Sequence, residues 1–138
     1  YGDIQPVADE KTLEALIANR YEVMAAYARQ LRSACRQDIQ ALKQRPADAV
    51  LRAARRWMHR DIEKIPDQDR SLVAQARASL PQADTMVRMR EELRQLWLST
   101  HRTRDQLAID LQAWCRQAES SGIAALRDFS MRLRAARS

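Results

Sequence analysis

The sequence predicts an all-α protein, an antiparallel bundle of about six helices with a long first one. Three observations carry that expectation. Alanine occurs 23 times in 138 residues, so much of the 46% hydrophobic content is small rather than bulky. Glycine occurs twice, proline four times, and aromatic residues make up only 5%. Sheets draw on β-branched and aromatic residues and their hairpins on glycine-bearing turns, whereas Ala, Leu, Arg, Gln and Glu favour helix. Finally, apolar residues recur at three- and four-residue steps along most of the chain. The length gives room for one domain, expected over residues 9–138 behind an extended lead over residues 1–8. A Gly-rich phosphate loop is excluded, because Gly2 and Gly122 stand far apart.

After the lead, which contains Pro6, Asp9 is placed to cap a helix running to about Gln44. Its stripe is Leu13, Leu16, Ile17, Val23, Met24, Tyr27, Leu31, Cys35, Ile39 and Leu42. Pro46 stops it, since proline disfavours helix in the residue before it. Pro46 or Asp48 opens a second helix with Val50, Leu51, Ala54, Trp57, Met58 and Ile62 on one side, ended by Pro66. Asp67 is expected to cap a short third helix carrying Leu72, Val73, Ala76 and Leu80. Pro81 suits the first turn of a fourth, where its missing N–H is no loss, and Met86, Met89, Leu93, Leu96 and Trp97 follow. Thr103 with Gln106 has capping-box spacing and starts a fifth helix through Leu107, Leu111, Trp114, Cys115 and Ala118. Gly122 ends it as a left-handed cap. The last helix carries Ile123, Leu126, Phe129 and Leu133, with Arg132, Arg134 and Arg137 at the negative end of its dipole. The expected core is Leu16, Met24, Leu31, Leu51, Trp57, Leu93, Trp97, Leu111, Trp114, Leu126 and Phe129.

The residues name no catalytic set. His59 and His101 are the only histidines; His59 and Glu63 lie four apart, but nothing supplies a third or fourth metal ligand. No metal and no cofactor is expected in this chain. Cys35 and Cys115 make no disulfide framework and read as small core residues of a reducing compartment. No uncharged run exceeds seven residues, against about 20 for a membrane span. No signal-peptide pattern precedes the first helix, and the opening Tyr1-Gly2-Asp3 reads as the start of an excised fragment.

Charge points to a partner. Lys and Arg total 24 against 18 acids, a net charge of +6, and 21 of the 24 are Arg. Such a balance suits nucleic acid, a phospholipid surface or an acidic protein. The basic residues cluster at Arg29, Arg32 and Arg36; at Arg52, Arg55, Arg56, His59 and Arg60; and at Arg127, Arg132, Arg134 and Arg137. The second cluster has the fewest acids nearby, so Arg52, Arg55, Arg56 and Arg60 are the candidate contacts to an anionic surface. Arg52, Arg56 and Arg60 keep four-residue spacing, and Arg55 lies three from Arg52, which places them on one helix side. The competing reading pairs these arginines with acids of neighbouring helices.

Two resemblances give these features a setting. Asn19-Arg20-Tyr21-Glu22-Val23-Met24-Ala25-Ala26-Tyr27 resembles the helix that follows the catalytic part of bacterial membrane fatty acid desaturases. Residues 89–97 continue the likeness, and Trp114-Cys115-Arg116-Gln117-Ala118-Glu119-Ser120-Ser121-Gly122-Ile123, on to Phe129, looks like a block near the carboxyl end of those enzymes. That resemblance implies a non-catalytic accessory extension in lipid metabolism, lying at the cytoplasmic membrane face. The histidine boxes and di-iron centre would belong to another part of the parent protein, which would be the chain's main partner. Anionic lipid would then attract the Arg52, Arg55, Arg56 and Arg60 face. Leu93 to Trp97 and Trp114 to Phe129 also look like the helical tail of insertion-sequence transposases with a DDE catalytic domain, ranked second. That resemblance implies contacts to the DNA backbone. A helical protein-interaction module is the third alternative.

Overall fold

The computed structural model describes residues 10–99 and 101–136. The lead over residues 1–8, the Asp9 cap and Arg137 lie outside the described residues. Helices α1 (Glu10–Ala18), α2 (Arg20–Gln40), α3 (Asp48–Trp57), α4 (Asp67–Ser79), α5 (Pro81–Leu98), α6 (Arg104–Ser120) and α7 (Ala124–Arg134) follow in order, with a short 3-10 turn at Ile62–Lys64. Among the described residues there is no strand, and the expected all-α class holds. The seventh helix arises because the long first one divides at Asn19. There the side chains compete for backbone acceptors: Asn19 Nδ2 donates to Ala15 O at 2.9 Å and Arg20 Nη1 to Ile17 O at 2.9 Å. Helical bonds still bridge the break, from Asn19 N to Ala15 O and from Val23 N to Asn19 O.

Other ends differ from expectation in ways the backbone explains. Helix α2 stops at Gln40, and its last turn tightens to three-residue bonds at Ala41 and Leu42. Helix α3 stops at Trp57, not near Ile62, and a turn and the 3-10 segment lead on to Pro66. Asp67 is the first residue of α4 rather than its cap; Pro66 holds the cap position without a side-chain bond. At α6 the cap is as read: Thr103 Oγ1 accepts from Gln106 N at 3.0 Å. The Gln106 side chain, however, donates to Asp110 instead of closing the box. Gly122 has φ +79°, the left-handed conformation expected at that helix end.

The described residues form two compact units. One takes those up to Ala26 together with those from Met89 onward; the other is Tyr27–Arg88. In the first, α6 packs on α7, which also meets α1. Leu13, Leu16, Leu93, Leu111, Trp114, Leu126 and Phe129 fill its core, with Phe129 edge-on to Trp114 at 6.0 Å. Trp114 Nε1 donates to Met89 O at 2.9 Å, so its polar edge is satisfied while the ring is buried. In the second unit, α3 packs on α4. Tyr27, Leu31, Val50, Leu51, Met58, Leu80 and Met86 are buried there. The Tyr27 hydroxyl donates to Met86 O at 2.7 Å, which lets a phenol sit in that core. Of the expected core, Met24, Trp57 and Trp97 are only half-buried. Both cysteines are buried free thiols, and no described helix is long and apolar enough to cross a membrane.

Candidate nucleic-acid interface

Helix α3 is sharply two-sided, and that sidedness builds the site. Val50, Leu51, Ala53 and Ala54 turn into the core, while Arg52, Arg55 and Arg56 are all exposed. These three fall within one arc of the helix, as three- and four-residue spacing requires. Arg60 does not join that register, because the helix has already ended at Trp57.

The structure sends the four candidate arginines in different directions. Arg55 faces α2, where Arg32 and Arg36 sit four residues apart on the exposed side of that helix. Between them lies a cavity of about 220 Å³, with Leu31, Cys35, Ala54 and Met58 buried beneath and Arg32, Arg36, Arg55 and His59 around it. No carboxylate lines it. Arg52 and Arg56 border a groove towards α4 that holds Leu72 and the carboxylate of Asp69. The Arg56 guanidinium carbon lies 5.1 Å from the centroid of the Trp57 ring, and that of Arg60 lies 5.8 Å from it. Trp57 Nε1 donates to Asp69 Oδ2 at 3.1 Å, which holds the indole half-buried at the surface and explains its absence from the core.

The electrostatics are uneven across the protein. Several arginines elsewhere are met by acids: Arg77 by Asp84 at 2.6 Å, Arg102 by Asp110 at 2.7 Å and Arg134 by Glu119 at 2.6 Å. Among the described residues no carboxylate forms an ion pair with Arg32, Arg36, Arg52, Arg55, Arg56 or Arg60. The competing reading, in which acids of adjacent helices neutralise them, has no such pair to rest on. Burial pushes the Cys35 thiol up and Asp38 adds to this, while Arg55 and Arg36 pull partly the other way. Cys35 is therefore a protonated, inert floor to the cavity. No described group of three or more His, Cys, Asp or Glu is placed to hold a metal ion.

The sequence flags the arginines of both helices but not their meeting. Joining Arg32 and Arg36 to Arg55 requires the packing of α2 against α3, which no local spacing reveals.

A family model described as transposase, of the DDE-type ISL3 group, matches residues 8–138. No curated protein and no solved structure matches the chain. The family match overturns the desaturase reading, and with it the assignment to lipid metabolism and to a di-iron parent. The shared block misleads for a physical reason. Glu119-Ser120-Ser121-Gly122-Ile123 is the end of one helix, its left-handed glycine cap and the start of the next. Such punctuation recurs wherever two amphipathic helices are joined tightly, so it reports a helical join and carries no chemistry. The second-ranked resemblance of the sequence is the one the match supports: this chain belongs to the DDE-type ISL3 transposase family.

Proposed function

We propose that this chain is a helical, non-catalytic part of a DDE-type transposase that grips the DNA backbone through the cleft between α2 and α3. The observation that carries the reading is the convergence of Arg32, Arg36 and Arg55 on one cavity that no carboxylate lines. Guanidinium groups fit phosphate oxygens in a planar, two-bonded geometry. Because these three have no ion pair among the described residues, a phosphodiester meets no competing internal anion.

Binding of this kind is driven by counterion release and is blind to sequence, so its signature is salt dependence. The affinity of the chain for a duplex of about 30 base pairs should fall linearly with salt on logarithmic axes. Changing Arg32, Arg36 and Arg55 together to Gln should flatten that slope by up to about 2.7 units, roughly 0.9 for each phosphate no longer neutralised. Changing the exposed Arg127 and Arg132 on α7 is the comparison and should alter it much less. Tighter binding to anionic vesicles than to DNA, or a triple variant that keeps the full slope, would overturn the proposal.

A further inference from the structure

Beside the arginine cleft lies a second cavity, of a different character. It holds about 310 Å³, near the small end of ligand pockets. Trp57, Met58, Ile65, Val73 and Val87 form its apolar walls. Arg60, Arg70 and Arg77 also line it, and no carboxylate does. Arg70 is paired with Asp67 and Arg77 with Asp84, so Arg60 is the cation of this pocket without an ion pair among the described residues. Met58 lines both this pocket and the α2–α3 cleft, which makes the two adjacent.

We infer that this pocket receives one unstacked nucleobase of a DNA strand whose phosphates lie along the α2–α3 cleft, with Trp57 as the stacking wall. The inference rests on the DNA-backbone reading above and adds a base to it. An aromatic wall, an apolar floor and a cation at the rim are the recognition chemistry of a nucleotide, since every base has a stacking face and every linkage a negative charge. An apolar protein side chain would use the walls but leave the Arg60 charge without a purpose. Trp57 is set for the task. Its N–H is tied to Asp69 at 3.1 Å, which fixes the plane of the ring. The Arg60 guanidinium carbon rests 5.8 Å from the ring centroid, a loose contact on an exposed side chain. A base entering the pocket exchanges that weak cation–π contact for stacking and frees the guanidinium for the adjoining phosphate. A base deep inside regular duplex cannot enter, so the ligand is an unpaired or extrahelical base.

The test compares duplexes of about 20 base pairs that carry one extrahelical 2-aminopurine or an abasic residue at the same place, with a blunt duplex alongside. The chain should bind the 2-aminopurine duplex roughly tenfold more tightly than the abasic one, and the probe's fluorescence should fall as it stacks. Ala74, exposed on α4 and lining the pocket, offers a way to plug the pocket without cutting into the core. Ala74→Phe should erase the preference and leave blunt-duplex binding intact. Trp57→Leu, checked for folding by its thermal melt, should also erase the preference. Equal affinity for the two probes, or a preference that survives both variants, overturns the inference while the backbone reading stands on the blunt duplex. Failure to bind any of the three duplexes overturns both.

Discussion

Asp38, on α2, caps α5: its carboxylate accepts a hydrogen bond from the Ala83 amide at 2.9 Å, across 45 residues of chain. Helix α5 begins with Pro81, whose missing N–H suits the first turn, but Leu80 before it offers no side-chain oxygen. The exposed-amide problem of a helix start is thus solved from another helix. Asp38 is only 8% exposed, so the amide has little access to water as a substitute.

Removing that carboxylate should be costly. Asp38→Ala should lower stability by about 1–2 kcal/mol in urea unfolding, the usual loss for a cap whose amide is left unpaired. Asp38→Asn keeps an acceptor oxygen and should recover most of it. The remaining deficit should be a few tenths to about 1 kcal/mol, the charge–dipole part. An Asn variant as unstable as the Ala variant would show that charge, not the hydrogen bond, is what matters.

Gly122 tests a different source of stability. Its φ of +79° is a conformation L side chains resist, yet a Cβ added there would meet nothing within 4 Å. The cost of Gly122→Ala is therefore backbone strain alone, about 1–2 kcal/mol. Gly122→Asn should cost less, because asparagine tolerates the left-handed region. A loss well above this range would mean that the substitution disturbs the α6–α7 packing as well.

These two positions also mark what the sequence can disclose. Gly122, Pro81 and the Thr103–Gln106 pair are legible because each acts within a few residues of itself. Asp38 is not: an acid inside a helical stretch looks like a solvated face until its partner from α5 is in place. The same holds for the candidate site. Arg55 stands out by its spacing, but its companions Arg32 and Arg36 lie on another helix, and Arg60 keeps the spacing of a helix that has already ended. Trp57 looks like core because its spacing matches the stripe; the Asp69 carboxylate draws it to the surface. Function is least legible of all, since helix punctuation around Gly122 is common to unrelated families.

The last expectation concerns acid, and it rests on Glu119. This carboxylate receives Arg134 Nε at 2.6 Å and Nη2 at 3.1 Å, a two-bonded pair, together with the Ser130 hydroxyl at 2.6 Å. Arg134, 5% exposed, also donates to Gln112 at 2.9 Å. The pair fastens the end of α7 to α6 inside the first unit. Partial burial works to raise the Glu119 carboxyl, but the hydrogen bonds from Arg134 and Ser130, with the charges of Arg134 and Arg116, outweigh it and hold the group below its usual range. A carboxyl lowered on folding binds its proton less readily in the native state than in the unfolded chain. Its contribution is thus complete above the unfolded value of about 4.3 and is lost as pH falls through the lower, native one. Neighbouring Cys115 is raised by burial and stays neutral throughout that window. At pH 7, Glu119→Gln should cost about 2–4 kcal/mol, because it leaves a buried guanidinium without its counter-charge. Urea unfolding at pH 7 and again near pH 3 should show the gap between wild type and Glu119→Gln narrowing on the acid side. A gap that stays constant with pH would mean that the Gln variant loses packing rather than charge pairing. Adding Arg134→Met to Glu119→Gln should then restore part of the stability at pH 7, since the orphaned cation is gone.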